Sequence, residues 1–264
     1  MLFLLKITIT PVLVALMSLA ARRWGPKVGG LIMGLPWMTG PILFFLGLER
    51  GEAYAAHTAV GVLLGTIGIG AYLTVYAHVA RRADWPVSLA LGSITYAAVG
   101  YSLSGLDLGL WLAAASGAAS LCAAFLLIPR APDPAGVRYL PWWDIPIRML
   151  ATAVLVTIIT FSADHLGPEL SGVVATYPVI LSVIGTFTHS QWGWAAVAQI
   201  ARGVALSLQS FVVFFLTIGL MAEIIGLTWS FLLASVAALI LTAALLLSTS
   251  RRKRPRSGKV KATN

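Results

Sequence analysis

Apolar residues in this chain arrive in long blocks, not in the alternation of a strand or the single stripe of a surface helix. From Met1 to Ala21 only Lys6 interrupts the run. A helix needs about 20 apolar residues to cross the hydrocarbon core of a bilayer. Reading blocks and interruptions against that length predicts nine spans: 2–21, 28–48, 54–80, 86–103, 108–129, 145–163, 168–188, 194–221 and 227–249. The first block is too long for a signal-peptide core, and its basic pair Arg22-Arg23 follows rather than precedes it. It therefore reads as a retained span. The longest hydrophilic connection, RAPDPAGVRYLPWWD, lies between spans five and six. The expected fold is an all-α polytopic membrane protein.

Composition agrees. The chain has 264 residues, 59% of them hydrophobic and 10% charged, with a mean hydropathy of +0.90. A soluble domain carries about a quarter charged residues, so the solvent for most of this surface is lipid. The net charge of +9 suggests nucleic acid until it is located. Seven of the eighteen Lys/Arg fall in the final RRKRPRSGKVKATN, where no aromatic residue interleaves them. That pattern suits a tail at an anionic membrane surface better than nucleic-acid recognition. The single cysteine, Cys122, has no metal-ligand spacing and reads as a buried or lipid-facing side chain.

Charge also orients the chain. Arg22, Arg23 and Lys27 follow span one, Arg81 and Arg82 follow span three, Arg130 and Arg138 follow span five, and the tail follows span nine. The alternate connections hold Glu49, Glu52, Asp107, Asp164, Glu169 and Glu223, with Arg50 as their one basic residue. The positive-inside rule then places the N-terminus outside and the C-terminus in the cytoplasm.

Two stretches share a plan. GPKVGGLIMGLPWMTGPILFF begins at Gly25 and GPELSGVVATYPVILSVIGTF at Gly167. A shift of 142 residues carries Gly25, Pro26, Gly30, Pro36, Ile42, Phe45 and Gly51 onto Gly167, Pro168, Gly172, Pro178, Ile184, Phe187 and Gly193, without a gap. It also carries Lys6 onto Arg148, a cation early in the first helix of each unit. The expected organisation is a first four-helix repeat (1–103), a linker helix with a cytoplasmic loop (104–144), a second four-helix repeat (145–249) and a basic tail (250–264). Five spans precede the second repeat, so it enters the membrane the other way up. Inverted-topology repeats are a common plan of secondary transporters.

Gly-Pro suits a helix start, because the first amide has no partner inside the helix. Pro36 and Pro178 lie about ten residues later, near mid-membrane by helical rise. There each removes a backbone hydrogen bond, and lipid offers the freed carbonyl nothing. Nearby hydroxyls could serve: Thr39 in the first unit; Thr176, Ser182 and Thr186 in the second. Kinked or discontinuous helices are expected at both prolines. Two half-helix N-termini meeting at the midplane would suit an anionic or strongly polar group. Close packing through small residues is the alternative reading of the same glycines.

The usual transport chemistry is thin. All nine acidic residues lie in connections or at span ends, whereas proton pumps carry an intramembrane carboxylate. His57 aligns with Gln199 and reads as a polar interhelical contact or, less simply, a proton relay. His78, His165 and His189 lie near interfaces and read as solvated. Arg202, about two turns into span eight, either snorkels to the surface or offers a cation to an anionic ligand. Trp24, Trp85, Trp142, Trp143, Trp192 and Trp229 sit at span ends, as an interfacial belt requires. No catalytic set, metal-ligand motif or nucleotide loop is present, so the chain is expected to be neither an enzyme nor a holder of metal or cofactor.

The segment ARRWGPKVGGLIMGLPWMTGPILFFLGLERG resembles the small four-span inner-membrane proteins of the GlpM type. The likeness covers spans one to four well and spans six to nine more weakly, where SQWG replaces ERG. It implies a fused pair of units whose single-unit relatives pair as antiparallel dimers. Together these observations predict a transporter or permease-like protein of the bacterial inner membrane, for a small anion or an amphipathic molecule. Gly34, Pro36, Thr39, Thr176, Pro178 and Ser182 would line its site, with Arg202 close by. A non-transporting assembly partner for envelope or lipid enzymes is the alternative. Expected partners are membrane lipid, an unidentified small-molecule substrate and a second copy of the chain, with no nucleic acid.

Overall fold

A computed structural model describes residues 2–103, 105, 106, 108–132, 141–163 and 177–251, with residues 2–6, 27, 162, 163 and 249–251 described by backbone alone. Every regular element among them is a helix: α1 (Leu2–Trp24), α2 (Pro26–Met33), α3 (Thr39–Arg50), α4 (Glu52–Val79), α5 (Trp85–Leu103), α6 (Leu110–Leu127), α7 (Asp144–Ala163), α8 (Val179–Ile225) and α9 (Leu227–Arg251). Seven are long and apolar enough to cross a membrane. The chain is a multi-pass helical membrane protein. Its outer faces are apolar, with Leu16, Ile94, Leu126, Leu150, Ile158 and Ile240 all exposed. The interior holds small residues and hydroxyls beside the usual aliphatics, among them Ala55, Ala198, Thr66, Ser207 and Ser210. Small side chains let helices approach closely, the main source of packing energy where lipid is as apolar as leucine.

The seven helices and the nine expected spans differ in two places. Span two is broken. α2 ends at Met33, the chain runs irregularly past Pro36, and α3 begins at Thr39. Neither piece, 8 and 12 residues long, can cross alone. Pro36 has no N–H for the carbonyl of Ile32, and the indole Nε1 of Trp37 donates to that carbonyl at 2.8 Å. The expected hydroxyl of Thr39 is not the donor; the indole one residue past the proline reaches the carbonyl.

Spans seven and eight both fall within α8, which contains a non-helical residue, Gly193 (φ 75°, ψ −178°). Gly51, between α3 and α4, has nearly the same geometry (φ 96°, ψ 168°). This corner of backbone space is essentially closed to residues with a Cβ. Leu181 and Gly185, before Gly193, line one small cavity together with Val197, Ile200 and Ala201 after it. Twenty residues of straight helix would separate Leu181 and Ala201 by about 30 Å. α8 therefore doubles back at Gly193, giving a first arm (179–192) and a second arm (194–225). The stretch from Gly167 to Thr176 lies outside the described residues, and Pro178 is the N-cap of α8.

α4 and the second arm of α8 form the centre. α4 packs on α5, α6 and α8, while α8 packs on α2, α6 and α9; α1 pairs with α7. The turn at Gly51 adjoins the turn at Gly226, where Glu52 Oε1 accepts a hydrogen bond from Leu227 N at 3.2 Å. The turn at Gly193 lies at the other end of α4, where the Arg81 guanidinium sits 5.7 Å above the Trp194 ring. The two glycine turns thus occupy opposite ends of the bundle. Trp24, Trp85, Trp142, Trp143 and Trp229 are exposed at helix ends, and Cys122 is exposed on α6.

Candidate functional site

Three polar clusters interrupt the apolar interior. The first lies where α8 begins. Tyr177 and Pro178 precede the helix, and Ser182, buried one turn inside, faces α4. Tyr72 OH donates to Ser182 Oγ at 3.1 Å, Ser182 Oγ donates to Tyr177 OH at 2.9 Å, and Tyr177 OH lies 2.6 Å from Ser93 Oγ on α5. The rings follow: Tyr177 meets Tyr96 and Tyr72 edge-on, with centroids 5.5 and 6.4 Å apart. A turn further along, Tyr76 OH, Thr186 Oγ1 and His189 Nδ1 are buried with no hydrogen-bond partner among the described residues. Thr186 lies beside the Tyr76 hydroxyl, and the His189 ring lies 6.0 Å from the Tyr76 ring. His189, expected to be solvated, is held under Tyr76 because α8 turns back at Gly193 and draws its first arm against α4. The cavity beside these tyrosines, about 20 Å³, has room for one water.

Gly34, Pro36 and Thr39 lie around the break between α2 and α3. Gly34 is buried against Ser207 of the second arm of α8, so closely that an added Cβ would collide with the Ser207 backbone. Ser207 Oγ donates to the Gly30 carbonyl at 3.0 Å. Gly40 faces the Phe214 ring, and Thr10 Oγ1 donates to the Met38 sulfur at 3.0 Å. The first break is therefore seated on α1 and the second arm of α8, whereas Pro178 and Ser182 are seated on α4 and α5. Thr176 lies outside the described residues.

Arg202 belongs to a cavity of about 310 Å³ walled by α2, the end of α6 and the second arm of α8. Its Nη1 donates to the Ile128 carbonyl at 2.6 Å, and its guanidinium lies 4.3 Å over the Phe125 ring. Arg130 shares the wall, as does Gln199, whose Nε2 donates to the Pro132 carbonyl at 2.8 Å. His57, aligned with Gln199 in the repeat, is exposed on α4 and not an interhelical contact. Its helix face points outward at that position, while the matching face of α8 points to the loop after α6.

The third cluster escaped the sequence. Asp144 closes the longest hydrophilic connection in the sequence, yet it opens α7 fully buried. Arg148 Nε binds its Oδ2 at 2.8 Å, Arg22 of α1 pairs with the same oxygen, and Gln191 Nε2 donates to Oδ1. Arg148 Nη2 donates in turn to Gln191 Oε1 at 2.7 Å, and its guanidinium covers the Phe187 ring at 4.9 Å. The i,i+4 spacing of Asp144 and Arg148 was the available signal. The cluster ties α1, α7 and the first arm of α8 at the end of the bundle that holds Gly193. Among the described residues no group of three His, Cys, Asp or Glu could hold a metal ion. The chain matches no family model, no curated protein and no solved structure.

Proposed function

We propose that this chain is a transporter of the bacterial inner membrane, built from two inverted four-helix repeats around a linker helix, and that it moves a small anion or an amphipathic molecule by alternating access. The observation that carries the reading is the recurrence of helix ends at the 142-residue offset. α5 starts at Trp85 and α9 at Leu227, and the glycine turns fall at Gly51 and Gly193. Contacts recur too: Gly40 meets Phe214, and Ser182 at the matching position meets Tyr72, the match of Phe214. The opposite placement of the two glycine turns supports inversion. Nine crossings follow once α2 with α3 counts as one and α8 as two, with the linker α6 touching both α4 and α8. The likeness to GlpM-type units belongs to the same reading. Two units that pack almost equivalently offer two packings of similar energy, and exchange between them is alternating access.

One observation favours the second reading, a non-transporting partner of envelope or lipid enzymes: the break at Pro36 and the helix start at Pro178 rest on different helices. A single variant decides. Pro36→Ala combined with Pro178→Ala supplies the missing N–H and removes the ring constraint at both positions. In proteoliposomes it is expected to abolish phosphate uptake and the transbilayer movement of fluorescent phosphatidic acid while expression and folding persist. Wild-type protein inert toward both probes, or a double variant as active as wild type, supports the assembly role instead.

A further inference from the structure

We propose that the cavity between α2, the end of α6 and the second arm of α8 binds the phosphate head of an anionic amphipath, with its apolar chain lying along the wall. This deepens the transport reading by naming the cargo class, and it rests on that reading only for the claim that the bound molecule moves.

The charge balance comes first. Arg202 and Arg130 face one cavity, and no carboxylate among the described residues lines it. Arg202 is half-buried and Arg130 exposed, and two like charges at one concave wall, with no counterion among the described residues, focus a positive potential that attracts an anion. Arg202 is pre-positioned: Ile128 holds one of its nitrogens and Phe125 holds the plane, and the other N–H donors of the fork meet no acceptor among the described residues. A planar fork suits phosphate oxygens in a way a lysine does not. Gln199, 4% exposed, is engaged with the Ala131 and Pro132 carbonyls and fixes that side of the wall without itself contacting an anion. The rest of the wall is apolar, with Leu31, Phe125 and Leu206, and the volume of about 310 Å³ exceeds what a lone inorganic anion fills. A basic end and an apolar wall match a head and a chain. Leu31 belongs to α2, the short helix that ends at the Gly34 break, so an occupant touches one side of that break.

The test uses the full-length protein in detergent micelles, with native mass spectrometry and thermal unfolding against three probes: phosphatidic acid, phosphatidylcholine and inorganic phosphate. One tightly retained phosphatidic acid is expected per chain, at least about tenfold preferred over phosphatidylcholine, since a charge-assisted hydrogen bond is worth that factor or more. Inorganic phosphate should compete only in large excess. Arg130→Gln removes an exposed side chain and should leave unliganded unfolding unchanged while lowering phosphatidic acid retention about tenfold. Arg202→Lys should lower it by a similar factor with the charge kept. The basic tail is common to all these proteins, so the differences report the cavity. Equal retention of the two lipids overturns the proposal, as does a preference unaffected by both variants. Inorganic phosphate binding as tightly as phosphatidic acid overturns the amphipath assignment and leaves a free anion. Asp133 lies outside the described residues; retention gained only in Asp133→Asn means the chain fills the cavity with its own carboxylate, and overturns it too. Binding without flux removes the transport reading and keeps the site. Flux that persists without binding here does the reverse.

Discussion

Asp144 is the residue on which the most charge depends. Its two oxygens receive Arg22, Arg148 and Gln191, in a place with no exposure to solvent. Removing one partner from a buried pair is costly because the other charge stays behind without its counterion. Asp144→Ala strands Arg148, itself 4% exposed, and is expected to lower stability by about 3–5 kcal/mol. Gln191→Ala removes hydrogen bonds but no charge, and about 1–3 kcal/mol is expected. Thermal unfolding in detergent ranks the two; an Asp144→Ala protein as stable as wild type would mean that water reaches the cluster. Little of this was legible in the sequence. Asp144 follows a polar loop and two exposed tryptophans, a context that reads as solvated. Its burial depends on helices more than 40 and more than 100 residues away, and no local pattern encodes them. Arg202 was easier, because an arginine within an apolar run must be explained wherever it lands.

Whether a helix breaks or merely bends depends on who takes the freed carbonyl. At Pro36 the taker is Trp37, and the break is complete from Gly34 to Met38. Trp37→Phe keeps the ring and loses the N–H, leaving the Ile32 carbonyl only the longer bond from Leu35 N at 3.4 Å and the cap N–H of Gly34. A loss of about 0.5–1.5 kcal/mol is expected, again by thermal unfolding, with Thr39→Val as the near-neutral comparison. Equal effects in the two variants would return the role to the threonine hydroxyl. The break itself was legible because proline acts locally, through its own ring and missing amide. The identity of the donor was not, since an indole and a hydroxyl lie at similar distances along the chain and only the path of the broken backbone decides between them. The reversal at Gly193 stands between these cases. Its glycine was visible as the counterpart of Gly51, its left-handed φ follows from the absence of a Cβ, and the polar His189-Ser190-Gln191 before it already separated spans seven and eight; what the sequence did not mark is that helical hydrogen bonding runs almost unbroken through the turn.

The bundle as a whole turns on which end each glycine turn occupies. Glu52 binds Leu227, and Arg81 covers Trp194, so the turn at Gly51 and the turn at Gly193 are separated by the length of α4. At 1.5 Å per residue, its 28 residues exceed the thickness of a bilayer core. Arg22, Arg81 and Arg148 all belong to the Gly193 end, which the positive-inside rule assigns to the cytoplasm. The chain carries one cysteine, so Cys122→Ala yields a thiol-free background in which single cysteines report their own side. Glu49 and Ser190 are exposed just before the two glycines. With a membrane-impermeant thiol reagent applied to intact cells, Glu49→Cys is expected to label at once, and Ser190→Cys only after permeabilisation. Arg82→Cys, at the far end of α4, should behave like Ser190→Cys. Labelling of Glu49→Cys and Ser190→Cys from the same side would mean that the repeats run parallel. Alternating access by exchange of mirrored packings would then have no structural basis, whatever the cavity at Arg202 binds.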